Sequence, residues 1–154
     1  MMNLAALTAG VARPQGTPEE TFHLYDYLTT FIEGATLAQI DYGPSHWPGT
    51  PMPGHAGNTV FPGHRTTHSR PFYFINELVA GDQIIFTTNE GRFVYEVYEA
   101  FTVRPTEMWI VDNTPNPIVT IFGCHPRGSA KFRYVVRGRL ISEPAAPRPA
   151  PAPP

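Results

Sequence analysis

The chain has 154 residues, 42% of them hydrophobic and 16% charged, with a formal net charge of −2. That length allows one domain with a real core. The balanced charge, with no basic block, offers no footprint for nucleic acid, and no apolar run reaches the roughly 18 residues needed to span a bilayer.

In chain order, residues 1–16 come first. "LAALTAGVA" is apolar but short and follows no Lys or Arg, so it is a poor signal peptide. Residues 1–16 are expected to be a flexible N-terminus or the remnant of a membrane anchor missing from this chain. A helix is expected near 17–32. Thr17 can cap it, Pro18 suits its first position, and Glu20 is placed for a capping box. Leu24, Leu28, Phe31 and Ile32 then recur at helical spacing.

From about residue 36 the signals are β. Residues 44–71 are rich in Gly and Pro. "QIIFTT" (83–88) and "RFVYEVYEAFTV" (92–103) flank Asn89-Glu90-Gly91, a hairpin turn signal. "PIVTIFGC" (117–124) and "FRYVVRGRL" (132–140) flank another loop. Many short strands in a chain of this size predict a mainly β barrel or sandwich. The last eleven residues, "PAAPRPAPAPP", hold six of the 18 prolines and no periodicity, so 144–154 is expected to be a disordered tail. The folded domain is then 17–143.

Cys124 is the chain's single cysteine, so it has no internal disulfide partner. It is either a small buried hydrophobe or a reactive thiol. If 117–124 and 132–140 pair as antiparallel neighbours, Cys124 ends one strand and Arg133 opens the next, and their side chains can approach. Period-2 alternation puts Arg133, Val135, Arg137 and Arg139 on one face, with only Arg133 at the Cys124 end. A charge-keeping Lys at 137 or 139 is therefore expected to be nearly neutral.

A thiol nucleophile needs a base, because thiolate is the reactive form and an ordinary thiol near pKa 8.5 is only a few per cent ionised at neutral pH. Six histidines are candidates: His23, His46, His55, His64, His68 and His125. On a strand, His125 points away from Cys124. Spacing alone does not rank the others. No Asp or Asn motif marks a papain-like triad, which counts against a protease.

Four blocks in order carry a resemblance: "GPSHWPGTPMPGHAGNTVFPGHRTTHSRPF" (43–72), "INELVAGDQIIFTT" (75–88), "VRPTEMWIVDN" (103–113) and "VTIFGCHPRGSAKFRYVVRGRL" (119–140). Over residues 36–141 the chain resembles the sortases, most closely the class E sortases of actinobacteria. The resemblance implies a closed sortase-type β-barrel, here with a short N-terminal helix. It places the family's catalytic histidine on His64, its cysteine on Cys124 and its arginine on Arg133. It implies an extracytoplasmic, membrane-anchored transpeptidase. Such an enzyme cleaves a C-terminal LAXTG- or LPXTG-like sorting signal of a secreted protein between Thr and Gly. A Cys thioester then passes the acyl group to an amine of a peptidoglycan precursor or a pilin lysine. No cofactor, metal or nucleic acid is implied. Two positions depart from the family pattern. Gly123 stands where Thr usually precedes the cysteine, and His55 where Glu is common.

Two other readings compete. One is a non-catalytic barrel that keeps a peptide groove. The other is a zinc hydrolase using His64, His68 and Cys124 or His125, since His-x-x-x-His is a metal spacing on a helix. That stretch is bracketed by Pro and Gly, which argues against helical register.

Overall fold

A computed structural model describes residues 8–14, 29–30, 32–34, 36–41, 44–66, 70 and 72–141. The strands are β1 (Thr8–Ala12), β2 (Thr29–Thr30), β3 (Ile32–Glu33), β4 (Ser45–His46), β5 (Asn58–Pro62), β6 (Gln83–Thr88), β7 (Gly91–Val103), β8 (Ile118–His125) and β9 (Phe132–Leu140). A single helical turn, α1 (Leu37–Ile40), and two 3-10 turns, Ile75–Glu77 and Met108–Val111, complete the described elements.

Seven strands make one curled sheet in the order β2-β1-β6-β7-β9-β8-β5, and β3 and β4 make a second, two-stranded sheet. β5 joins β8 in parallel, and β6 to β9 are linked by antiparallel pairings. The expected hairpin is present: Thr88 pairs with Gly91, leaving Asn89 and Glu90 as the two-residue loop.

The mainly β architecture is as expected, but among the described residues the barrel is not closed by a continuous ladder. β2 and β5 are the two ends of the large sheet. The gap is bridged by the chain itself. β2 pairs with β1 at one end, and two residues later β3 pairs with β4. β4 adjoins β5 at the other end, where Trp47 N donates to Val60 O (2.8 Å). Of the helix expected at 17–32, the described residues cover only the last few positions, and those are strand. Residues 17–28 and 31 lie outside the described residues, while Thr29–Thr30 and Ile32–Glu33 are strands. At those positions pairing with β1 and β4 overrides the helical spacing.

The expectation of a flexible terminus or anchor remnant does not hold for Thr8–Ala12. It is β1, seated between β2 and β6. Arg13, at its end, makes a two-pronged ion pair with buried Asp82, Nε to Oδ1 at 2.7 Å and Nη2 to Oδ2 at 2.9 Å. No helix among the described residues is long and apolar enough to cross a membrane. The tail at 144–154 lies outside the described residues.

The two faces of β8 and β9 carry two apolar clusters. Val119, Ile121 and Val136 join Phe61, Phe86, Phe93, Tyr95, Val97 and others in the main core. On the reverse face Val135 joins Val103 and Ile110, with Phe122 packed beside them. Cys124 lies on this reverse face by alternation.

Candidate active site

β8 and β9 run in register so that Cys124 stands directly opposite Arg133. Directly opposed residues on an antiparallel pair hold their Cβ atoms about 4.5–5.5 Å apart on one face. Arg133 is steadied by its own loop, Nη1 donating to Ala130 O (3.0 Å) and Phe132 O (3.1 Å).

His64 arrives from β5. The parallel β5–β8 ladder ends at Pro62 and Phe122, and Gly63 N adds one more bond to Phe122 O (3.1 Å). This carries His64 to the level of Cys124. Phe72 N donates to His64 O (3.0 Å), which ties Phe72 to the same residue. His64, Cys124 and Arg133 all line one groove of about 260 Å³, together with Trp47, Met108, Ile110 and Phe122.

The other histidines are placed elsewhere. His46 is buried, with Nδ1 on Glu33 and Nε2 on Pro51 O (2.9 Å). His55 pairs with Glu90 at the surface. His125 faces away from Cys124, and its Nδ1 accepts from Arg65 Nη1 (2.6 Å). Burial, and then the Arg65 charge, pushes the His125 imidazole below its ordinary pKa. His23 and His68 lie outside the described residues. Among the described residues no group of three or more His, Cys, Asp or Glu could hold a metal.

Three features escape the sequence. Asp41 Oδ1 lies 2.7 Å from His64 Nε2, so a carboxylate does stand on the histidine although no motif announces it. Its one sequence signal is upstream. Thr36 and Gln39 form a capping box, with Thr36 N donating to Gln39 Oε1 (3.0 Å) and Gln39 N to Thr36 Oγ1 (3.3 Å). That box starts α1, which delivers Asp41. Second, Arg65, 3% exposed, reaches beneath β8 and donates to Cys124 O (3.1 Å), fixing the backbone of the thiol residue. Third, Arg137 shares its strand face with Arg139 but is largely buried. Its side chain is 11% exposed, against 62% for Arg139, which pairs with Glu96 at the surface.

Gly123 is explained by its neighbours. A Cβ there would stand 3.1 Å from Gly63 O and 3.6 Å from Phe72 Cβ. The glycine lets β8 and the end of β5 approach closely.

A family model, the sortase domain, matches residues 24–141. The chain belongs to the sortase family. Sortase SrtE1 of Streptomyces coelicolor is 34% identical over 104 residues, covering 61% of this chain and 30% of the relative. Sortase A of Listeria monocytogenes is 30% identical over 111 residues, covering 71% of this chain and 45% of the relative. The matches thus span about a third to a half of these relatives. Among solved structures, a Clostridium perfringens sortase D5 transpeptidase superposes with a TM-score of 0.73 at 28% identity, over 92% of this sortase and 83% of that chain. Sortase E of Streptomyces avermitilis shares the fold, with a TM-score of 0.71 at 23% identity over 89% and 88% of the two chains.

Proposed function

We propose that this sortase is a cysteine transpeptidase. It cleaves a C-terminal LAXTG- or LPXTG-like sorting signal between Thr and Gly and passes the acyl group to an amine of a peptidoglycan precursor or a pilin lysine. Its setting is the outer face of the membrane, with the substrate a secreted protein. The observation that carries the reading is the opposition of Cys124 and Arg133 on the strand face that shares a groove with His64.

Cys124 Sγ, as thiolate, attacks the Thr carbonyl carbon. A C–S bond forms and the carbonyl oxygen becomes an oxyanion. As the C–N bond breaks, His64 protonates the departing Gly amine. The incoming amine then attacks the thioester, His64 takes its proton, and the C–S bond breaks to restore the thiolate. Asp41, accepting from Nε2, holds the ring in the tautomer whose Nδ1 exchanges that proton. Arg133 cannot be the base, since guanidinium stays protonated. Its bonds to Ala130 O and Phe132 O both use Nη1, so Nε and Nη2 are the donors suited to the oxyanion or to substrate carbonyls.

Mass spectrometry of the protein with LAXTG and LPXTG peptides plus an amine tests this. Wild type should yield the amine adduct and Cys124→Ala should yield none while keeping its fold. Release of the Gly fragment by Cys124→Ala would overturn the nucleophile. Peptide bound but never cleaved by wild type would mark a non-catalytic barrel instead.

A further inference from the structure

One wall of the groove is the 3-10 turn Met108–Val111, carried on the connection between β7 and β8. A turn of four residues outside any ladder has few bonds of its own, so its position is set by what lies beneath it. Ile110 is buried against Val103 and Val135. Under it runs a chain of polar groups. Asn58 Nδ2 donates to Ile110 O (2.9 Å) and Asp112 O (3.0 Å). Thr120 Oγ1 donates to Asn58 Oδ1 (2.6 Å) and accepts from Arg137 Nε (3.1 Å). Arg137 Nη2 returns to Ile110 O (3.2 Å). Asn58 and Thr120 are fully buried, and Asn58 has both amide hydrogens and its oxygen engaged. A satisfied network of this kind favours one arrangement over its neighbours.

Arg137 also fixes the outer side of the turn. Its guanidinium lies 5.3 Å from the Trp109 ring centroid and 5.7 Å from that of Phe101. Those two rings stack on each other at 5.5 Å and 9°. Glu99, its cross-strand neighbour, pairs with it at 3.9 Å. Arg137 itself is four residues from Arg133, roughly 13 Å along the strand, and is not among the groove-lining residues. Any effect it has on a substrate must pass through the turn.

We propose that Arg137, acting through Thr120 and Asn58, is a positioning residue that holds the Met108–Val111 wall preformed and so sets how tightly the groove takes its peptide. The proposal rests on the groove being the peptide site. Lys in its place keeps the charge but cannot bond Thr120 and Ile110 O together while lying over two rings. An unpinned wall must be ordered when the peptide binds, and that cost appears in KM.

The test uses Arg137→Gln, Arg137→Lys and Thr120→Val in the full chain, with Arg139→Gln as control. The readouts are KM and kcat for a sorting-signal peptide and the rate of Cys124 alkylation by iodoacetamide, which needs no bound peptide. Acrylamide quenching of Trp109 is read in a Trp47→Phe background, which leaves a single tryptophan. The first three variants should raise KM about tenfold, hold kcat and alkylation within a few-fold, and make Trp109 easier to quench. Arg139→Gln should change none of these. Unchanged KM and quenching, or equal falls in kcat, alkylation and folded signal, would overturn the proposal. If wild type turns over no peptide, the transpeptidase reading fails and the quenching arm decides the wall: increased quenching sustains it, unchanged quenching refutes it.

Discussion

Replacing Gly123 by Thr installs the residue the family usually carries, and consensus substitutions commonly stabilise. The geometry points the other way. The new Cβ would stand 3.1 Å from Gly63 O, a few tenths of an ångström inside comfortable contact, with Phe72 Cβ and Cδ2 at 3.6 and 3.7 Å behind it. Gly63 O is backbone and cannot rotate aside. Overpacking of this kind costs about 1–3 kcal/mol, and the γ atoms of a β-branched residue put Thr at the upper end. Strand propensity and lost unfolded-state freedom return about 1 kcal/mol. The net loss is about 2 kcal/mol, or a fall in Tm of about 4–8 °C for a chain of this size. Gly123→Ala, with one added carbon, should stay near wild type. Gly123→Val, alike in shape to Thr but without the hydroxyl, should fall at least as far as Thr. Because Gly63 adjoins His64, relief of the contact also shifts the histidine. Displacement of 1 Å costs about a hundredfold in rate, so a few tenths should lower kcat several-fold. Differential scanning calorimetry and peptide turnover read both effects. Either β-branched variant melting at or above wild type would refute the reasoning.

Arg133→Lys should keep the charge and lose about a hundredfold to a thousandfold in kcat, because in the proposed mechanism it is the planar fork that meets the oxyanion; steady-state transpeptidation checks it, and near wild-type turnover would reduce the arginine to a bystander. Asp82→Ala should cost about 3 kcal/mol in urea unfolding, since it strands Arg13 and the Val79 N–H that donates to Asp82 Oδ2 (2.8 Å). His125 has its pKa lowered in the fold by burial and by Arg65. Its contribution is therefore complete above the ordinary value near 6.5 and is lost as pH falls below it, because the unfolded chain takes the proton first. His125→Asn keeps an acceptor for Arg65 but does not titrate, so it should lose less Tm than wild type between pH 7 and 5. An identical pH slope in the two proteins would exclude that role.

The strand pairings around the thiol could be read from the sequence because local signals agree there. Alternation, a two-residue turn and a short loop fix β6 to β9, and the Cys124–Arg133 opposition follows from register alone. What could not be read depends on distance along the chain. β1 is five small or apolar residues without alternation, and its anchor, Asp82, is 69 residues from Arg13. Asp41 meets His64 across 23 residues with no motif between them. Alternation put Arg137 and Arg139 on one face correctly, but it could not tell that Phe101, Trp109 and Ile110 fold over the first and leave the second in water.

The position of β1 matters for anyone who would trim this protein. The family match begins at residue 24, and β1 ends at Ala12. A fragment cut to the matched region would lose a strand with hydrogen-bonded neighbours on both sides. The strand "QIIFTT" of β6, with every second residue buried and no charge, would become a bare edge. Such an edge is a template for pairing with another chain, and six uncharged, β-prone residues are the kind that stack into aggregates. Precipitation of such a fragment would therefore reflect an opened sheet and say nothing of the chemistry at Cys124.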